Sequence, residues 1–117
     1  MPNFGASGPI YGDPVALHPS ATCTASGSGG SYAMEGRSTL RLTLDVTAAS
    51  GTTPSMTVTV ETSGDGTTWA SAGTFTAATG VTSQRKSFGG LDRYARVSWA
   101  ITGTTPSFTF SVTGEAL

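Results

Sequence analysis

The stretch Leu40-Arg41-Leu42-Thr43-Leu44-Asp45-Val46-Thr47-Ala48 alternates apolar and polar side chains from end to end. Successive side chains of a strand point to opposite faces, so this spacing predicts a strand with one greasy face and one wet face. A helix would need its apolar residues three and four apart, and they are two apart. Downstream, Ser50-Gly51-Thr52-Thr53-Pro54 reads as a turn. Met56, Val58 and Val60 then alternate with Thr57, Thr59 and Glu61, which predicts a second strand.

The same pattern returns about 52 residues later. Gly51-Thr52-Thr53-Pro54-Ser55-Met56-Thr57-Val58-Thr59-Val60 matches Gly103-Thr104-Thr105-Pro106-Ser107-Phe108-Thr109-Phe110-Ser111-Val112. Each copy follows an alternating strand, the second being Tyr94 to Ile101 with Ala95, Val97, Trp99 and Ile101 on one face. Thr on the polar side suits a pleated surface because it is β-branched. Ser63-Gly64-Asp65-Gly66 marks a tight hairpin turn, a short strand surrounds Gly73, and Thr82 to Phe88 reads as a weaker strand before the Gly89-Gly90 turn. Seven or eight strands and no convincing helix predict an all-β, antiparallel sandwich, jelly-roll-like, over residues 21–117. Its predicted core is Leu40, Leu42, Leu44, Val46, Met56, Val58, Val60, Phe75, Val97, Trp99, Phe108, Phe110 and Val112.

Residues 1–20 differ. Pro2, Pro9, Pro14 and Pro19 share them with Gly5, Gly8 and Gly12. Proline lacks the backbone donor and glycine is costly to order, so the segment makes a poor central strand and an extended N-terminal arm is expected. Phe4, Ile10, Tyr11, Val15 and Leu17 give it apolar anchors, which lie either on its own domain or on a neighbouring subunit. Val15 to Ser26 has the spacing of one irregular strand, with Ala21, Cys23 and Ala25 on one face. Ser26 to Ser31 reads as a flexible loop.

With 117 residues the chain suffices for one domain. Only 11% of residues are charged, well below the roughly 25% of average chains; 21 Thr and 15 Ser fill their place. Six Lys and Arg against seven Asp and Glu supply no basic face, which argues against nucleic acid as a partner. One cysteine allows no intrachain disulfide. No apolar run suggests a membrane segment or a signal peptide, so a soluble product of a cytosol is expected.

Chemistry-bearing residues are sparse, and no enzyme is expected. His18, the single histidine, sits beside Pro19 in the stretch that looks mobile, a poor seat for catalysis. Cys23 reads as a small buried hydrophobe. Asp45 and Glu61 fall on the polar faces of adjacent predicted strands, where they would be neighbours, and read as solvated carboxylates. Asp65 reads as a turn residue. No catalytic, cofactor or metal site is expected, and no cofactor. Arg85, Lys86, Arg93 and Arg96 gather within a short stretch and read as protection of a sheet edge. Trp69, Tyr94 and Arg96 are the candidate surface contacts: rim packing is the plainer reading, stacking on a sugar the sharper one.

Two resemblances arise at these residues. Glu61-Thr62-Ser63-Gly64-Asp65-Gly66-Thr67-Thr68-Trp69, followed by Asp92-Arg93-Tyr94-Ala95-Arg96-Val97, resembles the discoidin jelly roll. This chain is shorter than that family's members and lacks their disulfide. The shared motifs are structural rather than ligand-binding, so the resemblance implies the fold; the alternative function is a carbohydrate-binding module using Trp69, Tyr94 and nearby polar loops on a host-surface glycan. Residues 38–116, with their Thr-rich strands, the Phe88-Gly89-Gly90-Leu91-Asp92-Arg93-Tyr94 segment and the ending Gly103 to Ala116, are similar to small virion proteins of tailed phages of actinobacteria. That resemblance implies a structural role, foremost a capsid decoration or minor capsid protein on the head, or else a small tail component. It implies localisation in the virion, assembly in the host cytoplasm, and partnership with the major capsid protein or other virion subunits. A homo-oligomer, by analogy a trimer, would place the arm residues Phe4, Ile10 and Tyr11 against the shell.

Overall fold

The computed structural model describes residues 13–117, so Phe4, Ile10 and Tyr11 lie outside the described residues. Seven strands form, all paired antiparallel: β1 (Asp13–Cys23), β2 (Gly27–Ser28), β3 (Tyr32–Ala33), β4 (Leu40–Ser63), β5 (Ala70–Thr74), β6 (Thr82–Phe88) and β7 (Tyr94–Ala116). The described residues contain no helix.

β4 and β7 run the length of the molecule side by side, from Leu40 opposite Ala116 to Ser63 opposite Tyr94. The expected turns at residues 50–54 and 103–106 are therefore not chain reversals. Each is an irregular kink inside one continuous strand, with register shifts at Ser50/Thr52 and Thr52/Ser55. Glycine and proline act here as bulge formers, and an extra unpaired residue bends a strand and increases its twist. The kinks divide the long ladder into two four-ribbon layers. In the first, β6 pairs β4, β4 pairs the C-terminal half of β7, and that half pairs β1. In the second, β5 pairs β4, β4 pairs the N-terminal half of β7, and that half pairs the short β2 and β3.

The layers close on one apolar core, so the chain is a β-sandwich. Leu40, Leu44 and Val46 from the first layer and Met56, Val58, Val60 and Val97 from the second are fully inaccessible, as are Phe108, Phe110 and Val112. Contacts across the open sides complete the closure. Phe75, just past β5, meets Phe88 of β6 edge-on with ring centroids 5.3 Å apart. On the opposite side His18 of β1 meets Trp99 of β7 at 4.7 Å. All but one of the expected core residues are buried; the exception, Trp99, is half-buried. It stands at the rim, where its indole N–H donates to the Ala25 carbonyl at 3.1 Å. A ring with one polar atom needs such a partner.

The boundary expected at residue 20 also moves. Asp13 to Ser20 belong to β1, which pairs with β7. Pro14 and Pro19 are tolerated because β1 is an edge strand. Val15 and Leu17 point inward and are buried. Ala21 and Ala25, expected on an apolar face, are exposed, and Cys23 is half-buried. The loop expected at residues 26–31 contains β2.

Candidate functional site

Trp69 immediately precedes β5, and Arg96 lies on β7 opposite Glu61 of β4. The three converge on the outer surface of the second layer. The Arg96 guanidinium lies over the Trp69 ring, 4.3 Å from its centroid. Its Nε donates to Glu61 Oε1 at 2.7 Å. A planar guanidinium suits both contacts at once, stacking with its face and donating with its edge. Tyr94, two residues earlier on the same strand, takes the same side and packs beside Gly66 of the β4–β5 turn. The structure thus brings together Trp69, Tyr94 and Arg96, and adds Glu61, which sequence reading placed elsewhere. Asp45 and Glu61 lie on the same strand, on opposite sides of the kink. Asp45 pairs with Ser83 and Ser111, Glu61 with Ser71 and Arg96. They do not form a carboxylate pair.

The Asp65 turn is built from local hydrogen bonds. Asp65 Oδ1 accepts from the Thr67 and Thr68 amides at 2.8 and 2.9 Å and from the Ser63 hydroxyl at 2.9 Å. These donors, the Thr68 amide foremost, hold its carboxyl below the usual range. All three bonds are local to the turn, which fits the expected role as a turn residue.

The four basic residues do not form one patch. Arg96 is committed to Glu61, while Arg85 and Lys86 lie on β6 in the other layer. The Lys86 ammonium donates to the Thr74 carbonyl at 2.7 Å, and Gln84 exchanges two hydrogen bonds with the Thr76 backbone. These side chains strap β6 to the end of β5 and the segment just after it.

Sequence reading missed a second cluster. His18, expected in a mobile stretch, is 7% exposed. Its ring stacks on Phe110 with centroids 4.1 Å apart and planes 3° from parallel. Nδ1 lies 3.1 Å from the Phe110 carbonyl, which can only accept, so Nδ1 carries the proton. Nε2 is then the acceptor, and it faces Cys23 Sγ at 3.7 Å. Burial pushes the imidazole pKa down, with the carbonyl contact opposing, and pushes the Cys23 thiol up. A neutral thiol beside a neutral imidazole is not the activated pair of a cysteine nucleophile. His18 and Cys23 are an odd number apart, so a regular pleat would put them on opposite faces. One unpaired residue between His18 and Ala21 brings them to the same side; the prolines that hint at irregularity do not say where it falls.

Among the described residues, no group of three or more His, Cys, Asp and Glu could hold a metal ion. A depression of about 470 Å³ crosses the outer face of the first layer between Arg41, Thr43, Arg85 and Glu115, with Arg41 paired to Glu115 at 3.4 Å. No protein-family model matches the chain, and no curated protein matches it.

Proposed function

We propose that this sandwich is a structural subunit of a virion, a decoration or minor capsid protein that grips the assembled head through residues 1–12. The observation that carries the reading is the way the chain joins the sandwich. Asp13, the first described residue, pairs with Ala116 in the ladder. Its carboxylate is held by Arg37 at 2.7 Å. The root of the arm is thus tied to the sandwich by both backbone and side chain. Tension on the arm would pass to β7, which spans both layers. The hydroxyl-dressed strands, with few charges, fit the resemblance to phage virion proteins. Contact energy comes from burying Phe4, Ile10 and Tyr11 on a neighbouring subunit, at about 1.5–3 kcal/mol for each fully buried side chain, multiplied in effect by many copies on one shell.

The test uses the full chain and a form lacking residues 2–12, which leaves Asp13 and Arg37 in place. Both are mixed with heads of the virus that encodes the chain and sedimented. The full chain should travel with the heads, and the shortened one should stay behind while keeping its unfolding midpoint. Equal sedimentation of both would end the arm mechanism, and absence of the chain from purified virions would end the structural reading. Glycan capture by Trp69, Tyr94 and Arg96, the alternative, predicts binding that survives loss of the arm.

A further inference from the structure

We propose that His18 is an acid-sensitive latch that holds the edge strand β1 on the sandwich, so that protonation of its ring frees the Asp13–Cys23 segment while the β4–β7 ladder stays intact. The inference does not rest on the virion reading.

The geometry makes the latch. β1 is joined to β7 in two runs, Asp13–Ala16 and Ala21–Cys23, and between them only His18 keeps register, opposite Val112. Register shifts flank it on both sides, at Ala16/His18 and His18/Ala21. Backbone pairing is therefore weakest where His18 sits, and its side chain takes over. The ring is stacked on Phe110, meets Trp99 edge-on, and donates through Nδ1 to the Phe110 carbonyl. The seam thus ties β1 to both layers, since Phe110 belongs to the first and Trp99 to the second.

A second proton has to go on Nε2. The titratable group facing that atom is Cys23, on the same strand. From β7 the ring meets Phe110 and Trp99, neither of which carries charge. The ion pairs among the described residues, Arg37–Asp13, Arg41–Glu115 and Arg96–Glu61, involve other side chains. An imidazolium here would be buried against a thiol that is a poor acceptor, without a carboxylate to balance it. Detachment of β1 rehydrates it. Stability is complete while His18 is neutral, above its unfolded value of about 6.5. It falls as pH drops from there toward the lowered value in the fold, because the released state binds more protons.

Because His18 is the single histidine, its ring proton resonance gives one titration curve for the full chain. Amide exchange of β1, read as a ratio to β4 amides in the same sample, reports release. The expected result is a His18 midpoint below the free value, with β1 protection lost relative to β4 as pH falls from 7.5 to 4.5. Each unit of displacement corresponds to about a tenfold change in the opening constant. His18→Phe, which keeps the stacking and removes the proton, should make the β1 ratio independent of pH. Titration of His18 at its ordinary value, or a β1 ratio in the native chain that stays constant through the His18 midpoint, would overturn the latch. If His18→Phe does not fold, the native chain's two curves decide alone.

Discussion

Gly51 and Gly103 precede the paired residues Thr52 and Thr104 where the two long strands kink, each pressed against the backbone of the other's Thr-Thr-Pro. A Cβ on Gly51 would lie 2.7 Å from the Thr105 carbonyl oxygen and 2.9 Å from Pro106 Cα. A Cβ on Gly103 would meet the Thr53 carbonyl oxygen at 2.9 Å and Pro54 Cα at 3.0 Å. Their φ angles, 113° and 122°, belong to the region that favours glycine. The repeated sequence thus makes a local near-twofold crossing in which each copy supplies the surface the other needs.

Alanine at either glycine should therefore cost about 2–4 kcal/mol, from backbone strain plus overpacking. The double variant should lose less than the sum, since one added methyl already spreads the crossing that the second would enter. Urea unfolding of the two single variants and the double checks this. Losses under about 0.5 kcal/mol, the ordinary surface range, would mean that the kinks tolerate a side chain.

Thr53 and Thr105 hold φ of 48° and 46°. A left-handed conformation is unusual for any residue with a Cβ and more so for a β-branched one. Each hydroxyl donates to the preceding residue's carbonyl at 2.8 Å, which partly compensates. Asparagine visits this region more readily, so Thr53→Asn should stabilise the chain by about 0.5–1 kcal/mol. Thr105→Asn should do the same. A lower urea midpoint for both would show that the threonine hydroxyls matter more to the kink than strain does.

The alternation legible from Leu40 to Val46 and from Phe108 to Val112 fixes which side chains face the core, because the pleat has a period of two; Ala48, expected on the same face, is exposed because the register shifts after Val46. The alternation does not say whether Gly51-Thr52-Thr53-Pro54 reverses the chain or only bends it. Glycine and proline interrupt a ladder in both cases, and the outcome depends on the partner strand. That partner is the other copy of the same sequence, Thr52 lying opposite Thr104 with a register shift on either side. The same limit hid the Glu61–Arg96 pair, which needs the β4–β7 register, and the His18–Cys23 pair, which needs a bulge. Trp69, Tyr94 and Arg96 were legible as surface residues, but the guanidinium cover on Trp69 was not.

That cover leads to the next prediction. Arg96 and Glu61 side chains are 27% and 21% exposed, so solvent weakens the ion pair, and exposed pairs contribute at most about 1 kcal/mol. The stacked ring adds about 0.5–1 kcal/mol. Arg96→Ala should cost about 1–1.5 kcal/mol on those two contributions. Arg96→Lys should recover only part of it, because an ammonium cannot stack flat while donating sideways. A double-mutant cycle with Glu61→Gln and Trp69→Ala separates the two contacts. Additive losses throughout would mean that the three side chains are neighbours without coupling.

The β4–β5 turn should open in acid before the ladder does. Asp65 is fully ionised near neutrality, and its Oδ1 accepts from the Thr67 and Thr68 amides and the Ser63 hydroxyl. Those donors favour the charged form and lower the folded pKa. The contribution is therefore present above the unfolded value of about 3.9 and is lost as pH falls through the lower value in the fold. Carboxyl-detected titration should place Asp65 below the ordinary aspartate midpoint. Exchange protection of the Thr67 and Thr68 amides should fade over the same acid window. In Asp65→Asn the amide oxygen still accepts but no longer titrates, so that protection should stay level with pH. A native Asp65 that titrates at its ordinary value, or amide protection that ignores its titration, would show that the backbone alone shapes the turn.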